Sequence, residues 1–194
     1  MRKRGLFFLL GALCLVAASA VSVSAQPRQY VQGQVIGIGS RRAGLNRSFS
    51  LTITNYSSPD DVQRLNAALR SGGQDELLRV LRGLNSGRVS IGNNVGVKAN
   101  AVIATPTAEG GTKLTVLYER DVAIFERRYG TRSADYRFGY AEIYLDARGR
   151  GQGTFIPSAK VKLEGDNNWV VEDFGEFPAR LMGLRSTGSV GGPR

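Results

Sequence analysis

The chain contains no histidine, a single cysteine and one tryptophan, and it sets 16 acidic residues against 26 basic ones. Each scarcity removes chemistry. Without histidine there is no Ser-His-Asp or Cys-His nucleophilic site, no imidazole general base, and none of the usual zinc or copper coordination spheres. The lone cysteine, Cys14, lies in an apolar run near the N-terminus, so no disulfide can form within the chain and stability has to come from a hydrophobic core. A metal site would need oxygen ligands, the preference of magnesium and calcium. No spacing of that kind appears, and no cofactor is expected.

Long apolar runs are confined to the first residues. Arg2, Lys3 and Arg4 precede an apolar stretch at 6–18, and Val23, Ser24 and Ala25 form the small-residue pattern that a signal peptidase cleaves. This predicts a signal peptide over residues 1–25 and a secreted or periplasmic product with no transmembrane span after cleavage. Leu13 precedes Cys14 where a lipoprotein site wants a small residue, so lipid anchoring is not expected. Cleavage would remove 25 of 194 residues and leave 169, with 23 basic against 16 acidic side chains and a formal charge of +7. That length suits one domain. The expected layout is a single α+β domain at 26–185 and a disordered tail, "STGSVGGPR", at 186–194.

What is present reads mostly as strand. In "SFSLTIT", Phe49, Leu51 and Ile53 alternate with Ser48, Ser50, Thr52 and Thr54, the period of a strand buried on one side. "TKLTVLY" alternates Leu114, Val116 and Tyr118 in the same way. Further strands are expected at "YVQGQVIGIG", "GRVSIG", "KANAVIAT", "DVAIFER", "YRFGYAEIYL", "GTFIP", "AKVKLEG", "NWVVEDF" and "ARLMGLR", separated by Gly, Asn and Asp turns. One stretch differs. Ser58, Pro59 and Asp61 form a helix start with a capping box, Val62, Leu65, Ala68 and Leu69 make one apolar stripe, and Leu77, Leu78, Leu81 and Leu84 make a second beyond Gly72 and Gly73. The pattern predicts an inserted αα-hairpin at about residues 59–84. The fold class is therefore α+β, with a mostly antiparallel, curved β-sheet or partial β-barrel.

Three clusters are candidate sites. In "DYRFGYAEIYLD", Tyr136, Phe138, Tyr140, Glu142 and Tyr144 share one strand face. That face either packs the core or forms a recognition surface, with Arg137 and the Arg127-Arg128 loop nearby. Tyrosine rings and hydroxyls suit a sugar or a peptide. A second cluster, Glu172, Asp173 and Glu176 in "VEDFGEF", could supply the paired carboxylates of a hydrolase, alone or with magnesium or calcium. Acids at a strand end are more simply surface ion pairs. The third feature is the excess of arginine, 21 to 5 over lysine, clustered at Arg41, Arg42 and Arg47, at Arg127, Arg128 and Arg132, and at Arg148 and Arg150. Arginine forks attract anionic polymers, although export argues against genomic nucleic acid.

The expected function is an exported, non-enzymatic binding or envelope-interaction protein. Its partner would be a small molecule, a glycan or an envelope component. A carboxylate-based hydrolase and an anionic-polymer binder are the alternatives. N-terminal sequencing of the exported protein should begin at Gln26; a product starting at Met1 would contradict the signal assignment.

Overall fold

Phe49, Leu51 and Ile53 do face inward while their serine and threonine neighbours stay partly exposed, and this one-sided pattern recurs around the whole sheet. The computed structural model describes residues 28–37, 44, 46–120, 135–165, 168–173 and 178–189. In chain order the elements are β1 (Gln29–Ile36), β2 (Asn46–Ile53), α1 (Pro59–Arg82), β3 (Gly87–Ile91), β4 (Val97–Ala99), β5 (Ala101–Pro106), β6 (Thr112–Glu119), β7 (Phe138–Leu145), β8 (Arg150–Glu164), β9 (Asn168–Asp173) and β10 (Ala179–Gly188). The strands form one sheet in the order β4-β3-β2-β1-β10-β8-β7-β6-β5, and every pairing is antiparallel. The long β8 serves two neighbourhoods: its first half lies between β10 and β7, and its second half, from Ala159, pairs with β9.

The sheet curls until strands near its two ends touch, since β4 packs against β6. Its concave side is filled by one apolar cluster drawn from both halves, including Val31, Phe49, Leu51, Val89, Val116, Ile143, Phe155 and Leu181. The convex side of β6, β7 and β8 carries a second cluster. There Leu65, Leu77, Leu78 and Leu81 of α1 cover Leu117, Phe138, Ile156, Ala159 and Val161. Burying one leucine side chain is worth about 1.5–3 kcal/mol, so this leucine face is the main force holding the helix to the sheet.

The helix starts where its residues say it should. Asp61 N donates to Ser58 Oγ (3.1 Å), Ser58 N donates to Asp61 Oδ2 (2.9 Å), and Pro59 opens the first turn. Helical geometry is broken at Gly73 (φ 60°, ψ −138°), a backbone state that favours glycine. The two stripes of the expected hairpin therefore meet at that residue. Gln74, just beyond the break, ties α1 to β8: its amide donates to Val161 O (2.5 Å) and accepts from Val161 N (3.1 Å).

The sheet is not closed by a continuous ladder. At the seam, β4 and β5 are separated by Asn100 alone, and buried side chains take over the bonding. Asn100 Nδ2 donates to Leu81 O (2.9 Å) and Leu84 O (3.4 Å), while its Oδ1 accepts from Glu119 N (3.0 Å). Ser57 exchanges two bonds with the Val102 backbone (2.8 and 3.1 Å), and Ser86 N donates to Ala99 O (2.8 Å). Buried polar groups must be satisfied in this way, and here they join the end of α1 to both sheet edges.

Some expected boundaries move. "GTFIP" and "AKVKLEG" belong to the single strand β8, and "KANAVIAT" is interrupted at Asn100. The C-terminal strand runs through Ser186, Thr187 and Gly188, with Gln29 opposite Gly188, so these residues are sheet and not the start of a tail. Pairing with β1 supplies the backbone partners that their composition does not advertise. The expected strand "DVAIFER" lies outside the described residues, as do residues 1–25 and 190–194.

Replacing Asn100 by Ala should cost about 2–4 kcal/mol of unfolding free energy, because buried backbone groups lose their partners. Urea denaturation measures this, with exposed Asn94→Ala as a near-neutral control; an equal effect of the two would contradict the role assigned to Asn100.

Candidate functional groove

The pleat of β7 places Phe138, Tyr140, Glu142 and Tyr144 on the convex face and Gly139, Ala141, Ile143 and Leu145 toward the concave core, as the sequence predicts. Helix α1 then divides the aromatic face. Phe138 is fully buried and Tyr140 is 6% exposed, both beneath the helix, whereas Tyr144 is 45% exposed. Phe138 is thus core and not a contact surface. Tyr136 is also largely buried: its ring lies under Lys160 Nζ (4.6 Å to the centroid) and its hydroxyl donates to Glu172 Oε1 (2.8 Å). Arg137 turns away to an ion pair with Asp75 of α1. Arg127 and Arg128 lie outside the described residues.

Where the helix stops covering the face, a groove of about 450 Å³ opens. One wall is the first turn of α1, with Pro59, Val62 and Gln63; the floor is β5, β6 and β7; Trp169 of β9 lies at the end. Strand register explains the floor. Ile103, Thr115 and Glu142 form one cross-strand row, and Thr105, Lys113 and Tyr144 form the next. Side chains in such rows are close enough to interact. The Trp169 ring is held because its Nε1 donates to the buried Asn66 Oδ1 (2.6 Å).

Glu142 organises the polar part. It accepts from Lys113 Nζ (2.7 Å), the Tyr144 hydroxyl (2.5 Å) and the Tyr140 hydroxyl (3.0 Å). Partial burial works to raise the Glu142 pKa. The hydrogen bonds from Lys113, Tyr144 and Tyr140, together with the Lys113 charge, outweigh it and hold the carboxyl below its ordinary 4.5. For Lys113, desolvation works downward, but its bond and charge pairing with Glu142 leave it above its ordinary 10.5. Tyr140 is pushed well above the usual phenol range by burial and then by the neighbouring carboxylate. The groove therefore carries a matched plus and minus charge over the neutral pH range, with hydroxyl and amide groups beside apolar walls.

Of the second cluster, Glu172 does not line this groove. Glu172 pairs with Lys162 Nζ (2.8 Å) and accepts from Tyr136, which hold its pKa below the ordinary carboxylate value. This is a strand-edge ion pair, the plainer of the two expectations for this residue. Asp173 is the last residue of β9, its backbone opposite Ala159, and Glu176 lies outside the described residues. Among the described residues, no three acidic, histidine or cysteine side chains gather to hold a metal. Of the basic loops, the one carrying Arg148 and Arg150 is a hairpin turn. Asp146 Oδ1 accepts both of their backbone amides (2.8 Å each), so those amides are turned inward rather than toward an anion.

Lys113, Thr115, Gln63 and Trp169 were not singled out in the sequence. Lys113 and Thr115 leave a trace as the solvent side of "TKLTVLY", but which strand lies opposite depends on the register. Comparison with protein families, with curated proteins and with solved structures finds no match to this chain.

The Glu142 contacts give a signed expectation. A lowered pKa means that the stabilisation by Glu142 is present above pH 4.5 and is lost as pH falls through the lower folded value. At the alkaline end, the bond to Glu142 raises the Tyr144 pKa. In Glu142→Gln, a phenol that ionises late in the unmodified protein should ionise at lower pH in an ultraviolet-monitored titration; superimposable curves would contradict the network.

Proposed function

We propose that this chain is an exported, non-catalytic binding protein and that the groove beside α1 takes an uncharged polyhydroxylated ligand, a segment of glycan. The observation that carries this is the neutral, mixed floor: the Lys113–Glu142 pair cancels in charge, while Thr105, Thr115 and Gln63 offer hydroxyl and amide groups next to Trp169, Val62 and Ile103. A sugar ring presents the matching surface, hydroxyls around its rim and an apolar face for an aromatic ring. A compact anion would gain little from a cation that already has its partner, and a purely apolar ligand would strip water from the pair without replacing it.

The same geometry favours holding over hydrolysis. Glycoside cleavage needs two carboxyl groups, one of them kept protonated by a raised pKa. Among the described residues Glu142 is the one carboxylate in the groove lining, and its pKa is shifted the other way. Export enters this proposal from the N-terminal residues alone.

The test uses Trp169, the chain's single tryptophan, as a built-in reporter. Tryptophan emission should change saturably when the protein is titrated with a panel of neutral oligosaccharides cut from glucan, xylan and chitin. The Thr115→Val change should weaken the best binder about tenfold, the scale of one lost hydrogen bond with an unmet partner. Unchanged emission across the panel would sink the proposal, and so would turnover of a bound oligosaccharide that Glu142→Gln abolishes.

A further inference from the structure

A second cavity, of about 620 Å³, opens at one end of the concave core. It sits between the β3–β4 hairpin, the end of β6 and the middle of β8. Val89, Ile91, Val97, Phe155 and Pro157 give it apolar walls. Two of these, Val89 and Phe155, belong to the concave core itself, so the cavity continues the protein interior outward. At its lip Val95 is 87% exposed and Val97 37%, leaving an apolar edge in water beside an apolar cavity.

The polar groups at this mouth are few. Tyr118 is 6% exposed. Its ring lies across Gly139, where an added Cβ would come within 2.0 Å of the ring carbon bearing the hydroxyl. That close fit pins the ring, so the hydroxyl cannot swing away to find water. It makes no hydrogen bond to any described residue, although buried hydroxyls ordinarily have a partner. Burial also raises the Tyr118 pKa far above the usual phenol value, which keeps the group a neutral O–H donor. Two residues on, and on the same side of the chain, Arg120 lines the same cavity. Its Nε donates to Tyr136 O (2.9 Å).

We infer that this mouth is a binding site for a linear amphiphile with an acidic head, a medium-chain fatty carboxylate. The chain would lie along Val89, Ile91, Val97 and Phe155, and the carboxylate would accept the Tyr118 hydroxyl. The cavity volume falls within the range of small-molecule sites, which pair mostly apolar walls with a few placed polar groups. This site is separate from the groove: no described residue lines both.

Equilibrium dialysis of the purified protein against labelled dodecanoate and dodecanol tests the inference. Dodecanoate should bind saturably and about tenfold more tightly than dodecanol, the scale of one charge-assisted hydrogen bond. Tyr118→Phe keeps the ring over Gly139 and should remove about tenfold of the dodecanoate affinity. Val97→Asp should weaken binding through the lip without touching the hydroxyl. The groove change Thr115→Val should have no effect. Absence of saturable dodecanoate binding, equal affinity for dodecanol, or affinity indifferent to both Tyr118→Phe and Val97→Asp would each overturn it.

Discussion

The leucine face of α1 against the convex side of β6, β7 and β8 is the contact on which the rest depends. A curved antiparallel sheet already buries its concave side, and its convex side would otherwise face water. Leu65, Leu77, Leu78 and Leu81 change that by removing Leu117, Phe138, Ile156 and Val161 from solvent. Because the helix covers part of the face, its first turn becomes a wall. Tyr140 is caught at the boundary, its ring packed in the core and its hydroxyl bonded to the groove carboxylate Glu142. Without the helix the same strands would present an open, convex surface.

The fit of helix to sheet is set by polar groups that have little freedom. Asn100 links the last turn of α1 to the gap between β4 and β5 and to β6; Ser57 and Ser86 bridge the same seam. Gln74 fixes the start of the second helical segment to β8. Apolar contacts supply most of the energy, but they tolerate sliding. Directional bonds to buried partners do not, and they set the position from which Pro59, Val62 and Gln63 reach the groove. A domain expected to have no disulfide in its folded part gains from this kind of internal stitching.

Much of the fold was legible because local chemistry and global structure agree. The alternation in "SFSLTIT" and "TKLTVLY", the Ser58-Pro59-Asp61 start and the Gly72-Gly73 break each specify backbone geometry from neighbours in sequence. The site was legible only in part, for a physical reason. Period-two alternation tells which residues of β7 share a face, but not what covers that face. Phe138 and Tyr144 are equivalent in the pattern and opposite in burial, because the α1 leucines that cover Phe138 lie 57 to 73 positions earlier in the chain. Lys113 and Thr115 become partners of Glu142 through cross-strand register, which no local signal in either strand announces. For Glu172 the plainer expectation of a surface ion pair holds, since Lys162 and Tyr136 engage it, but which cation would supply the pair was again a matter of cross-strand register.

The central claim is that α1 is a fixed wall and not a loosely attached flap. Native-state amide hydrogen exchange, read by mass spectrometry, tests this directly. The account predicts that amides of the first helical segment, residues 62–70, exchange as slowly as those of β6 and β7, through unfolding of the whole domain. Fast exchange in α1 while the strands stay protected would show that the helix opens on its own, and the groove would then have no permanent wall.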